Sequence, residues 1–238
     1  MNKILMYHIY ADGDPDMLAF NLAHIGMYRH IFDHAYFKIT YDNPEKLLNL
    51  FPYLIIWEHS KSTVWKYQND PSQGENIGFM EVLNDIHNHL YNLDTLLLIG
   101  STNGVSKSGE REAQKKNIRA WTKAAMHLSM RDMKLVEHAM THGYHCVGSF
   151  KRDVPIDKGG PYPCPWHYSG LFYWLKCSEL FKRNWNTALA NSRHGIEMYP
   201  GYIFNSSEAY CIFNTDQDTY QEEVKDEQWI NNTGTLVI

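Results

Sequence analysis

Short apolar runs alternate with longer amphipathic stretches through the first half of the chain. Lys3–Tyr10 reads as a strand that closes on the turn-rich Asp12-Gly13-Asp14-Pro15-Asp16. Asp16 is then placed to cap a helix running to about His30, in which Leu18, Leu22, Ile25 and Tyr28 recur at helical spacing. Tyr36–Tyr41 predicts a second strand, and Asn43-Pro44 a cap followed by proline at the first helical position. Tyr53–Trp57 predicts a third strand, Glu75–Leu90 a helix and Thr95–Ile99 a fourth, buried strand. Glu110–Met126 and Ser129–His142 predict two further helices, the second opened by Ser129-x-x-Asp132, a variant of the capping box. Cys146–Phe150 predicts a fifth strand.

Strands that alternate with helices need crossover connections, so the expected fold is α/β with a mainly parallel central sheet. The pattern changes after Phe150: Lys151–Pro165 holds Gly159-Gly160 and four prolines, too many breakers for regular structure. One domain over residues 1–215 with an irregular C-terminal third is expected, followed by a polar, acidic and loosely packed tail over 216–238. Ligands in such sheets bind beyond the carboxyl ends of the strands. Those ends are Tyr10–Asp14, Tyr41–Asn43, Glu58–Ser60, Gly100–Ser106 and Phe150–Asp153.

Composition narrows the class. A chain of 238 residues with 44% apolar, 21% charged and 14% aromatic side chains is globular, not disordered or fibrous. A net charge of −5 supplies no global positive field for nucleic acid. The opening Met1–Met6 runs into polar Tyr7-His8 and lacks the long apolar core of a signal peptide. The longest aliphatic run, Leu96–Ile99, is far short of a membrane span, and Cys146, Cys164, Cys177 and Cys211 form no C-x-x-C. A soluble, cytoplasmic protein with reduced thiols is expected.

Six groups of residues are candidates for chemistry. The turn Gly100–Gly109 follows the most apolar strand, and its small residues let backbone amides approach phosphate or sugar oxygens; it also reads as an ordinary strand-to-helix turn. Asp12-x-Asp14 pairs two carboxylates that suit Mg²⁺ or Mn²⁺, or cap the helix that follows. The histidine pairs His30/His34 and His138/His142 lack the further ligands of a zinc site and read as helix-end residues. In Trp166-His167-Tyr168-Ser169-Gly170-Leu171-Phe172-Tyr173-Trp174, a histidine, a serine and a glycine stand among aromatics that suit sugar rings or bases; Phe172 and Trp174 also read as core. Arg193-x-x-x-Glu197 sets opposite charges one helical turn apart, as a surface pair or as a carboxylate aimed at a site. The basic stretch Lys107, Arg111, Lys115, Lys116, Arg119 and Lys123 reads as a solvated helix face or as a track for phosphates.

In this order the segments resemble a family of small GT-A-type glycosyltransferases found in bacteria and large DNA viruses. Its members carry an H-T-K-G-V-S-like turn, a tryptophan-bearing helix, an H-[FY]-S-G-N-F-W-W segment and R-x-x-x-E-x-W. The counterparts here are Ser101–Ser106, Trp121, His167–Trp174 and Arg193–Tyr199, with Ser101, Asn103 and Tyr199 in place of the family's His, Lys and final Trp. The resemblance spans roughly Lys3 to Tyr199, and implies a Rossmann-like GT-A domain that moves a sugar from a nucleotide-sugar, UDP- or another pyrimidine-linked sugar, to an acceptor hydroxyl. It implies a nucleoside near Tyr7, Ile9 and Tyr10, and a diphosphate and sugar near Ser101, Thr102, Asn103, Gly104 and Ser106, with Ser169, Gly170 and Arg193 also on the donor side. Glu197 is the first candidate for the general base and His167 the second. Asp12 and Asp14 are the candidates for Mn²⁺ or Mg²⁺. The acceptor is a glycan or a modified nucleic-acid base. The alternative is a non-catalytic sugar- or nucleotide-binding module that has lost glycosyl transfer.

Overall fold

The computed structural model describes residues 1–58, 61–90, 92, 94–105, 112–156 and 163–230. Four strands, β1 (Asn2–Tyr10), β2 (His34–Tyr41), β3 (Ser62–Gln68) and β4 (Thr95–Ser101), form a parallel array. The sheet continues through β8 (Tyr173–Lys176), β5 (Cys146–Gly148) and β9 (Ala209–Cys211) in the order β3-β2-β1-β4-β8-β5-β9, with β8 the one reversed strand. A two-stranded ribbon of β6 (Lys151–Arg152) and β7 (His167–Tyr168) stands apart. The fold is α/β and Rossmann-like, with a mainly parallel sheet, as the alternating pattern requires.

Period-two alternation divides the core. Leu5, Tyr7 and Ile9 of β1 face α1 (Pro15–Met27), α4 (Glu112–Arg131) and α5 (Met133–Thr141), where Leu18, Leu22, Trp121, Leu128 and Val136 meet them. Ile4 and Met6 face the opposite layer of α3 (Phe79–Asp85), α6 (Cys177–Leu180) and α7 (Gly195–Ile203), which contributes Phe79, Val82, Leu180 and Tyr199. Both layers bury β4 along its whole length, and so its run of leucines shows no alternation.

Several boundaries differ from the sequence expectation. Asp14, not Asp16, caps α1: its Oδ1 accepts the amides of Asp16 and Met17, both at 3.1 Å, and the helix ends at Met27. Tyr53–Trp57 is not a strand. Pro44 opens a 3-10 turn capped by Asn43, and the chain enters α2 (Phe51–Leu54) with Pro52 in its first turn, where a missing amide costs nothing. The third strand is instead the half-buried edge segment Ser62–Gln68. Glu75–Leu90 divides into a 3-10 turn at Gly74–Asn76, α3, and a π turn at Ile86–Leu90. Ser129 lies inside α4, and Asp132 alone caps α5 through the amide of Leu135. Most of residues 216–230 are exposed, but Val224 and Trp229 are buried, Lys123 holds Asp226 at 2.5 Å, and α8 (Asp226–Trp229) closes the described chain. All four cysteines are free. No helix among the described residues is long and apolar enough to cross a membrane.

Candidate functional site

From β1 the chain steps to β2 and β3 on one side, then crosses back to β4 on the other side of β1. The loops leaving β1 and β4 therefore diverge, which opens a crevice at the switch point. Local hydrogen bonds fix the two loops against each other. The Thr102 amide donates to the His8 carbonyl at 2.9 Å, and the Asp14 amide to the Val105 carbonyl at 2.7 Å. Buried Asn21 spans the gap, donating to the Asn103 carbonyl at 3.0 Å and accepting the Asn103 amide at 3.2 Å.

A cleft of about 340 Å³ occupies this crevice. Three distant segments meet in it: the turn after β4, the segment after β7 and the start of α7. Asn103 Nδ2 donates to the Gly170 carbonyl at 2.8 Å, and the Gly170 amide points at Glu197 Oε1 at 3.3 Å. His194 Nδ1 stands 3.5 Å from the other oxygen of Glu197. Gly170 has φ of 87°, and a Cβ there would lie 2.5 Å from Trp121 Cζ2, so only glycine fits. Gly104 has φ of 72°, and a Cβ there would meet Ile118 Cγ2 at 2.6 Å. Trp121 and Tyr220 form an aromatic wall with ring centroids 5.5 Å apart. The buried Trp121 Nε1 has no hydrogen-bond partner among the described residues. Arg193 is the one Lys or Arg in the lining among the described residues.

Beneath the cleft lies a group of ionisable side chains. Lys38, the single Lys, Arg, Asp or Glu of β2, is 1% exposed and donates to the Glu75 carbonyl. Burial pulls its ammonium down to about 7. Burial and then the neighbouring Glu197 push the Glu75 carboxyl up to about 7, against the opposing pull of Lys38 and a hydrogen bond from Ser101. His8 pairs with Thr40 Oγ1 at 2.8 Å, and burial followed by Lys38 holds its imidazole well below the usual range. At the mouth the Tyr10 hydroxyl donates to Asp42 at 2.5 Å; burial and this bond raise the phenol to about 12.

Of the residues singled out in the sequence, Tyr10, Thr102, Asn103, Gly104, Gly170, Arg193 and Glu197 line the cleft. Ser101 lies beneath it, with its hydroxyl donating to Glu75 Oε1 at 3.2 Å. Tyr7 and Ile9 do not reach it; strand alternation turns both into the core, where Tyr7 packs near Phe172. His167 is buried on β7 opposite Arg152 and does not line the cleft, and burial lowers its imidazole while Glu197 opposes the shift. Ser169 is outside the lining, its amide donating to the Phe150 carbonyl at 3.0 Å. Ser106 lies outside the described residues.

The Asp12 and Asp14 carboxylates are engaged elsewhere. Asp12 accepts the amides of Asp42 at 2.7 Å and Asn43 at 3.2 Å. Asp14 caps α1 and pairs with Lys115 at 2.7 Å, and Lys115 and the Met17 amide hold its carboxyl below the usual range. Backbone amides and Lys115 engage all four carboxylate oxygens. Among the described residues, no group of three or more His, Cys, Asp or Glu is placed to hold a metal ion. In the basic stretch, Lys115 pairs with Asp14, Lys116 with Glu223 and Lys123 with Asp226; Lys107 and Arg111 lie outside the described residues.

The sequence reading missed His8, Lys38, Asp42, Glu75 and His194. Lys38 alone carried a signal, as a single charge inside an apolar strand. Glu75 sits in a short 3-10 turn that no periodicity marks.

No protein-family profile matches the chain, and no curated protein does. Among solved structures, a 4-diphosphocytidyl-2C-methyl-D-erythritol synthase aligns over 95% of this chain and 95% of its own, at 8% sequence identity and a TM-score of 0.45.

Proposed function

We propose that the chain is a glycosyltransferase whose cleft binds a nucleotide-sugar donor. The observation that carries this reading is the hydrogen-bonded meeting of Asn103, Gly170 and Glu197 at the switch point of the sheet. Each comes from one of the segments on which the resemblance to small GT-A-type enzymes rests. The Trp121–Tyr220 wall offers faces for a base or a sugar ring. Arg193 and the backbone around Gly104 offer donors to a diphosphate. Glu197 is the base: it takes the proton of the acceptor hydroxyl as that oxygen bonds to the anomeric carbon. The bond to the diphosphate oxygen breaks as the new bond forms, and its electron pair leaves with the nucleotide. His167, outside the lining, acts at most through Glu197.

A thermal-shift panel of nucleotide-sugars, coupled to an assay for released nucleotide, tests the reading. A pyrimidine-linked sugar such as UDP-glucose should raise Tm, because a ligand that binds only the folded state stabilises it. Nucleotide release should follow when an acceptor is supplied. Stabilisation without release under any acceptor identifies a binding module instead, and no shift with any nucleotide-sugar overturns the donor-site reading.

A further inference from the structure

We propose that Glu75 is a second catalytic residue of this cleft, entering as a neutral carboxylic acid and protonating the departing diphosphate. The assignment rests on the donor-site reading above. Glu75 lines the cleft beside the turn after β4 and accepts the Ser101 hydroxyl at 3.2 Å. Its backbone is fixed from two sides. Lys38 Nζ donates to its carbonyl, and Asn76 Nδ2 donates to the carbonyls of Ala190 at 2.7 Å and Ser192 at 2.6 Å. The 3-10 turn is thereby pinned to the loop that carries Arg193 and leads into Glu197.

The charge balance of the cleft calls for such a group. A diphosphate brings two negative charges, and among the described residues Arg193 is the one Lys or Arg in the lining. Asp12 and Asp14 are occupied by amides and Lys115. Ser101 and Asn103 are neutral. The ionisable groups that face Glu75 are Lys38 from β2, His194 and Glu197 at the start of α7, Tyr173 from β8 and Tyr220 from the C-terminal segment. Burial and Glu197 already favour its neutral form, and an arriving diphosphate adds like charge that favours it further. A carboxyl kept neutral near physiological pH can donate a hydrogen bond where a carboxylate would repel the ligand. The protons balance in transfer. Glu197 receives one from the acceptor hydroxyl, Glu75 gives one to the diphosphate oxygen as its bond to the anomeric carbon breaks, and solvent restores both groups.

Binding of UDP-glucose against pH, measured by calorimetry, tests the assignment apart from turnover. Both phosphates of this probe are diesters and hold no proton near neutrality, so any slope belongs to the protein. Wild-type affinity should fall about tenfold between about pH 6 and pH 8, as one required proton is lost. Glu75→Gln keeps a hydrogen-bond donor at every pH and should bind with a flat profile. Lys38→Met removes a second group that titrates in this range; the loss of affinity with rising pH should persist, displaced to higher pH because Lys38 no longer opposes the shift of Glu75. A flat wild-type profile, or a slope that survives in Glu75→Gln, overturns the role of Glu75 and leaves the donor site standing. A wild-type protein that binds no UDP-glucose at either pH counts against the donor site itself, and with it this assignment.

Discussion

Two pairs of carboxylates stand near the carboxyl end of the sheet, and they are used in opposite ways. Asp12 and Asp14 are neighbours in sequence, and their oxygens accept backbone amides and Lys115. Glu75 and Glu197 come from distant segments and line the same cleft, where the charge of Glu197 opposes ionisation of Glu75. The shifts follow the same division. Asp14 is held low by its partners, whereas Glu75 is pushed up by burial and by a like charge. A carboxylate whose oxygens are satisfied by the fold stabilises a turn. One that is buried, crowded by like charge and open to a cleft remains available for proton transfer.

The largest expected effect follows from this contrast. Glu197→Gln keeps the shape of the side chain but cannot take a proton, so turnover should fall by roughly 10²–10⁴-fold while Tm holds. The double variant Asp12→Asn with Asp14→Asn should retain turnover per folded molecule. Equal loss of turnover in both, with Tm unchanged in both, would erase the distinction between the pairs. Smaller effects are expected from the glycines that bring the cleft walls together. Gly104→Val places a β-branched side chain at φ of 72° against Ile118, and Gly170→Ala sets a methyl group against Trp121. Strain of about 1–3 kcal/mol is expected at each, which in a chain of this size lowers Tm by roughly 2–12 °C. Gly104 is thus needed by the fold as well as facing the ligand space, and calorimetric Tm values check both variants.

The scaffold was legible because burial imposes a period. β1, β2 and β4 are apolar runs between turn signals, and Asn43 sits where capping requires it; for α1 and α5 the caps are Asp14 and Asp132 in place of Asp16 and Ser129. Tyr53–Trp57 misled because a run of apolar residues does not by itself separate strand from helix; Pro52 favours a helical first turn and cannot donate to a ladder. The edge strand Ser62–Gln68 was missed because its exposed side chains dilute the apolar signal. Within the site, the motif residues Asn103, Gly170 and Glu197 were legible, since each belongs to a conspicuous local cluster. Glu75 was not. Its importance comes from burial beside Lys38 and Glu197, a property of the folded chain alone.

The smallest expected effect compares the two kinds of carboxylate by the sign of their pH dependence. Asp14 has a depressed folded pKa, so its contribution is present above the unfolded value of about 4 and is lost as pH falls through the lower folded value. Asp14→Ala removes the α1 cap and the Lys115 partner, at a cost of about 1 kcal/mol. Tm at neutral pH should therefore drop by roughly 2–4 °C, and the difference from wild type should shrink as the medium is acidified below about pH 4. Glu75 has a raised folded pKa, and the sign reverses. The folded chain keeps a proton that the unfolded chain releases, so its contribution is fully present below about pH 4 and is lost as pH rises through about 7. Glu75→Gln should thus gain stability relative to wild type toward the upper end of that window, while Asp14→Ala loses it there. Melting curves of the three proteins from about pH 3 to pH 8 display both slopes. Parallel Glu75→Gln and wild-type curves would place Glu75 in an ordinary solvated setting and remove the physical basis for setting the two pairs apart.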